Sequence, residues 1–174
     1  PTAKVNRNLE LVYYSLGEIY ARRGDPQAAS ENYRAALEIQ PGDADASLGL
    51  GRAYEKLGQH SEAVTAFNAA VRYDPEFREA YEGLLACYQA LNRAAGIAYA
   101  RGMIAHATRD DTTAVARLKE AVALAPEWAD AYAGLGLSYE GMKQSDDARA
   151  AYQTALKLDE RNFLARYALG RLAK

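Results

Sequence analysis

Several residues in this 174-residue chain are of types that could do chemistry. Gly49-Leu50-Gly51 and Gly134-Leu135-Gly136 have the composition of a phosphate-binding loop. A dinucleotide site needs a strand before such glycines and a helix after them. Here both triplets lie inside helical patterns, so close helix packing is the expected role. The two histidines, His60 and His106, stand apart with no cysteine or clustered carboxylates beside them, whereas a metal needs three or four convergent ligands. His60 is expected at an exposed turn, and His106 as a groove-lining or half-buried residue. Cys87, with no basic cluster to lower its pKa, reads as a buried, inert thiol. Asp110-Asp111 and Asp146-Asp147 invite acid–base or metal chemistry, but both stand just before a helix, where carboxylates complement the positive helix end. No serine or threonine can be given a base and an orienting acid. The chain therefore reads as a non-enzyme with no catalytic, cofactor or metal site.

The elements that would position these residues are clearest between Ala44 and Phe77. Leu48, Leu50, Gly51, Tyr54 and Leu57 recur at the three-and-four spacing of a buried helix face. Gly58 can end that helix, since the position after a helix often needs positive φ. Ser61 is placed to cap a second helix carrying Ala63, Val64, Phe67, Ala70 and Val71 on one face, and Pro75 stops it for want of an amide hydrogen. This stretch is a helical hairpin.

A shift of 34 residues brings the hairpin back. Gly17 falls on Gly51, Tyr20 on Tyr54 and Tyr88, Gly24 on Gly58, Ala29 on Ala63, Tyr33 on Phe67, Ala36 on Ala70 and Pro41 on Pro75. Farther on, Gly102 falls on Gly136, Ala114 on Ala148, Leu118 on Tyr152 and Ala121 on Ala155. A helix–turn–helix of this period and residue pattern resembles the tetratricopeptide repeat. The resemblance implies an all-α, right-handed superhelical solenoid of antiparallel helix pairs. One hairpin cannot bury its apolar face alone, so consecutive hairpins must stack.

The chain divides on this reading into a polar leader at residues 1–8, repeats at 10–43 and 44–77, an irregular stretch at 78–128, a repeat at 129–162, and a helix at 163–174 that is either a cap or a truncated repeat. The first hairpin is expected at Leu9–Arg23 and Pro26–Gln40, with Asp25 as cap. The offsets from Gly51 to Gly102 and from Pro75 to Pro126 are one and a half periods, so three helices fill residues 78–126. The middle one, about Arg93–Thr108, reads like a first helix but is placed in a second-helix slot. Regular pairing resumes at Ala129–Met142 and Ser145–Leu158. Pro1 is not an initiator residue, so both ends are expected to be cut from something longer.

Composition narrows the partners. The formal net charge is −2, with both signs scattered, against the basic stripe that nucleic acid would need. No apolar run is long enough to span a bilayer. A single cysteine allows no internal disulfide. The compartment stays open, with a soluble, cytoplasmic protein slightly favoured.

In solenoids of this family the first helices line the concave surface. That pattern implies partner-binding positions at Tyr14, Glu18 and Arg22, at Leu48, Arg52 and Lys56, at Glu82 and Gln89, and at Tyr99, Met103 and His106. Family members that clamp acidic chaperone tails carry lysine, arginine and asparagine at set places on three first helices. Here Tyr14, Glu18, Gly49, Glu79 and Gly83 stand there, so that subtype is not expected. The expected function is a scaffold for a protein or peptide partner in this groove. The alternative is self-assembly into a homo-oligomer through the terminal helix.

Overall fold

The computed structural model describes residues 2–172. These form ten helices and no strand: α1 (Thr2–Arg23), α2 (Pro26–Ile39), α3 (Ala44–Lys56), α4 (His60–Tyr73), α5 (Arg78–Ala90), α6 (Ala94–Ala107), α7 (Asp111–Leu124), α8 (Ala129–Gly141), α9 (Ser145–Leu158) and α10 (Phe163–Leu172). They fall into two compact units that divide after Leu91. Unit 1 is the hairpins α1–α2 and α3–α4 followed by α5. Unit 2 is the hairpins α6–α7 and α8–α9 followed by α10.

Local sequence starts and stops the helices. The Asp25, Asp43 and Asp110 carboxylates accept from the backbone N–H groups of Ala28, Ala46 and Thr113 at 3.0, 2.9 and 3.1 Å, each satisfying a donor that the first helical turn leaves free. Ser61 does not cap α4. That helix begins one residue earlier, behind Gln59, which makes no side-chain cap. Asp146 and Asp147 lie within the first turn of α9 rather than before it, still beside the positive helix end. The turns inside the hairpins need a left-handed residue. Glycine supplies it at Gly24 (φ 77°) and Gly58 (φ 72°), but Arg109 (φ 64°) and Lys143 (φ 60°) hold the same conformation with a side chain attached. α1 runs back through residues 2–8, where a polar leader was expected. The expectations for Pro1 and for residues 173–174 lie outside the described residues.

Packing repeats from hairpin to hairpin. A Cβ added at Gly17 would sit 2.7 Å from the Tyr33 ring, at Gly51 2.5 Å from Phe67, at Gly102 2.6 Å from Leu118, and at Gly136 2.3 Å from Tyr152. Each large side chain of a second helix thus presses directly on its own first helix. The following first helix closes from the other side: Gly49 would place a Cβ 2.5 Å from Tyr33, Gly83 2.4 Å from Phe67, and Gly134 2.8 Å from Met103 Sδ and 3.2 Å from Leu118. The glycine triplets are therefore packing devices, one glycine for the preceding hairpin and one for its own. Alanines at zero exposure flank each large residue, as Ala29 and Ala36 flank Tyr33.

The irregular stretch resolves within unit 2. α6 does not take a second-helix slot; it is the first helix of the α6–α7 hairpin, with Gly102 against Leu118. Arg78–Pro126 holds three helices because α5 ends unit 1 without a second helix of its own there. At the position of Gly17 and Gly51, α5 carries Leu85, so the notch that receives a large second-helix residue is filled.

The notch can be tested directly. Gly136→Ala forces a methyl into the Tyr152 ring and is expected to destabilise the fold by about 1–3 kcal/mol. Gly170, its counterpart on α10, has nothing within 4 Å of an added Cβ. Gly170→Ala is expected to be neutral or to stabilise by about 0.5–1 kcal/mol, by relieving glycine's entropy cost in a helix. Urea unfolding followed by circular dichroism distinguishes the two.

Candidate functional site

Unit 1 carries a groove of about 540 Å³ between α1, α2 and α3. From α1 it is lined by Tyr14, Glu18, Ala21 and Arg22, from α2 by Pro26, Ala29 and Tyr33, and from α3 by Asp45, Leu48, Gly49, Arg52, Ala53 and Lys56. Its size falls within the range of small-ligand and peptide side-chain sites. Helical spacing explains the composition: Tyr14, Glu18 and Arg22 lie four residues apart on α1, and Leu48, Arg52 and Lys56 do the same on α3.

The polar floor is tied together. The buried Tyr33 hydroxyl donates to Glu18 Oε1 at 2.5 Å. Burial, and then that bond, raise the Tyr33 pKa far above its ordinary value, so the hydroxyl stays a donor and holds one oxygen of Glu18. The Tyr14 ring tilts against Tyr33 at 58°, centroids 6.0 Å apart. Its hydroxyl pKa is also raised, by partial burial and by the charges of Glu18, Asp45 and Asp43, against the opposing pull of Arg52. Arg22 Nε donates to the Glu18 carbonyl at 3.3 Å. Among the described residues, neither Arg52 nor Lys56 is ion-paired. The groove thus offers the half-buried Tyr14 ring, a fixed carboxylate, and cations toward one end, with Leu48 in its wall but only 7% exposed.

Of the sequence-derived positions, Tyr14, Glu18, Arg22, Leu48, Arg52 and Lys56 come together here. Glu82 and Gln89 are exposed on α5 and do not line this groove; Glu82 pairs with Arg78 at 2.8 Å. Tyr99, Met103 and His106 belong to unit 2 and are not on an open face, with exposures of only 5%, 1% and 7%. The Tyr99 ring packs on Trp128 with centroids 4.6 Å apart. Met103 fills the space beside Gly134, and His106 Nδ1 lies 2.6 Å from Asp111 Oδ1. Large residues at the positions of Tyr14 and Glu18 on α6 meet neighbours inside unit 2, and so become core. Sequence reasoning missed Tyr33 and Gly49 as groove residues. The signal was present: a glycine on each side of Tyr33 thins both first helices and leaves the ring within reach of the groove.

The other candidate groups stay chemically quiet. Burial, helped by the Glu55 charge, pushes the Cys87 thiol to about 11, so it is not a thiolate at neutral pH. His60 is half-buried rather than exposed at a turn, with Nδ1 out of solvent and unpartnered among the described residues. No group of three His, Cys, Asp or Glu that could hold a metal occurs among the described residues. No described helix is long and apolar enough to cross a membrane.

Stacked helical hairpins with a lined groove define a helical-repeat interaction scaffold. The tetratricopeptide repeat family matches residues 20–88 and again residues 129–162, together more than half of the sequence. The chain belongs to the tetratricopeptide repeat family. Among solved structures, a thermophilic TPR protein of Thermus thermophilus, TTC0263, is 23% identical, covers 94% of this chain and 98% of its own, and has a TM-score of 0.48. YrrB, described as a TPR protein with an unusual peptide-binding site, is 19% identical over 97% of each chain with a TM-score of 0.49. A MamA protein is 24% identical, covers 88% of this chain and 93% of its own, and scores 0.45. No function is transferred from these likenesses. No curated protein matches the chain.

One polar contact at the start of α3 is pH-sensitive. Glu10, 3% exposed, shares a hydrogen bond with Asp43, the cap of α3. Burial first, then that bond and the Asp43 charge, raise the Glu10 pKa. The folded state therefore binds this proton more tightly than the unfolded chain does. The resulting stability is present at acid pH and is lost as pH rises through the raised value. In unit 2 the corresponding cap is Asn162, whose amide donates to Asp130 at 2.8 Å with no shared proton needed. Asp43→Asn is thus expected to raise the melting temperature at pH 7, by about one hydrogen bond's worth, roughly 1 kcal/mol. The gain is expected to shrink below the ordinary carboxylate range, as thermal melts across pH would record.

Proposed function

We propose that unit 1 is a non-catalytic scaffold that binds a peptide or protein segment in the α1–α3 groove. The observation that carries this reading is the convergence of Tyr14, Glu18, Arg22, Leu48, Arg52 and Lys56 on one cavity. The half-buried Tyr14 ring offers an apolar surface for an anchoring side chain. Arg22, Arg52 and Lys56 favour an acidic group beside it, and the Glu18 carboxylate, held by Tyr33, can accept from a backbone or side-chain donor. No nucleophile–base pair is assigned, and no cofactor enters this reading.

Selection from a displayed random-peptide library, followed by calorimetry on the recovered sequences, tests it. Recovered peptides are expected to pair an apolar with an acidic residue. Tyr14→Ala and Arg52→Glu are each expected to weaken binding by more than about tenfold, as central anchors do, with helical content unchanged. Full binding by both variants would remove the groove from the account.

A second reading, self-association through α10, is favoured by Phe163 and Tyr167. They are 68% and 63% exposed and stack at 14°, with centroids 6.2 Å apart. It predicts a concentration-dependent mass in light scattering that Phe163→Lys/Tyr167→Lys abolishes.

A further inference from the structure

The two units repeat one polar arrangement with one difference. In unit 2 the Tyr152 hydroxyl on α9 donates to Glu140 Oε1 on α8 at 2.7 Å. Arg171 of α10, the helix that follows, donates to Glu140 Oε2. Each carboxylate oxygen there has its own partner. Unit 1 holds the same parts. Tyr33 presses on Gly17 as Tyr152 presses on Gly136, and Arg52 follows Gly17 at the same distance in sequence as Arg171 follows Gly136. The carboxylate comes from one turn nearer the notch, with Glu18 beside Gly17 in place of Glu140 four residues past Gly136. The charge of Arg52 bears on the Tyr33 hydroxyl as that of Arg171 does on Tyr152. Here, however, only Glu18 Oε1 is taken, by Tyr33. Among the described residues Glu18 Oε2 accepts no hydrogen bond and Arg52 makes no ion pair. The carboxylate oxygen and the guanidinium that unit 2 joins to each other are both left open in unit 1, on the wall of one groove.

The open charges are also sorted along that groove. Glu18 and Asp45 line it, and the charges of both bear on the Tyr14 hydroxyl, which places the two carboxylates around that ring. Arg22 and Lys56 stand in the last turns of α1 and α3, one turn beyond Glu18 and Arg52. Those two also complement the negative helix ends, but Arg52 lies a turn inside α3 and has no such role. The groove therefore runs from carboxylates beside Tyr14 to three exposed cations. A segment bearing only acids is repelled at the first end, and one bearing only bases at the second. A segment with both charges, in the right order, meets its opposite throughout.

We propose that the groove takes a peptide segment of both charges: a basic side chain on Glu18 Oε2 near Tyr14, and an acidic side chain on Arg52 and Lys56. The basic group does for Glu18 what Arg171 does for Glu140. The Tyr33 hydroxyl already fixes the Glu18 carboxylate, so a charge-assisted bond to it orders little else. This inference rests on the groove reading above, and adds to it the ligand's basic residue and the placement of the two charges.

Peptides recovered from the displayed random library, measured by calorimetry against wild type, Glu18→Gln and Arg52→Gln, test it. They are expected to carry an arginine or lysine as well as an acidic residue. Replacing the peptide's basic residue by alanine is expected to weaken binding to wild type by about tenfold or more, and to change little against Glu18→Gln. Replacing its acidic residue is expected to do the same against wild type and Arg52→Gln. Each peptide residue thus couples to its own partner more strongly than to the other. Glutamine at position 18 keeps an acceptor for the Tyr33 hydroxyl, so helical content is expected to stay unchanged. Should that variant lose helix, the peptide substitutions against wild type decide. Recovered peptides that depend on Tyr14 and Arg52 but lack a basic residue, or whose basic residue can be removed without loss, would overturn this inference and leave the groove reading standing. Recovery of no peptide, or of peptides indifferent to Tyr14→Ala and Arg52→Glu, would overturn both.

Discussion

A large side chain held between two glycines is the contact on which this structure depends. Tyr33 lies between Gly17 and Gly49, Phe67 between Gly51 and Gly83, and Leu118 between Gly102 and Gly134. One glycine belongs to the hairpin that owns the large residue, and the other to the helix that follows. The same side chain therefore closes a hairpin and fastens the next element to it. Removing Cβ at both contacts lets two helices approach one ring, which increases the close-range dispersion contacts that each buried atom makes. Tyr152 has Gly136 on one side, and on α10 the buried Ala168 joins its cluster.

The groove is a by-product of that packing. Thinning α1 and α3 at Gly17 and Gly49 brings Tyr33 to the groove floor, where its hydroxyl can hold Glu18. Unit 1 places Arg22, Arg52 and Lys56 along the groove, whereas α6 places Tyr99 and Met103 at related positions and buries both. Equivalent positions in one repeat array therefore line a groove in one unit and fill the core in the other.

The fold was legible because its determinants are local and repeated. The spacing of small and large residues, the aspartate caps at Asp25 and Asp110, and Gly24 and Gly58 at left-handed turns each point to the same hairpin. Where a determinant was not a single residue type, the reading slipped. Arg109 and Lys143 take the left-handed turn without glycine, and α4 starts without the Ser61 cap. The groove was half legible. Tyr14, Glu18, Arg22, Leu48, Arg52 and Lys56 follow from helical spacing alone, but Tyr99, Met103 and His106 obey the same spacing and are buried.

By itself the sequence determined the helices, their pairing outside the stretch around α6, and the family, because these depend on contacts between residues close in the chain and on a pattern that repeats. Only the tertiary structure decided that α6 opens a hairpin, that Met103 fills the space beside Gly134, and that His106 pairs with Asp111. Each of these depends on which neighbour arrives at a face. A helix's own spacing specifies that a face exists, but what occupies it is set by residues far away in the chain.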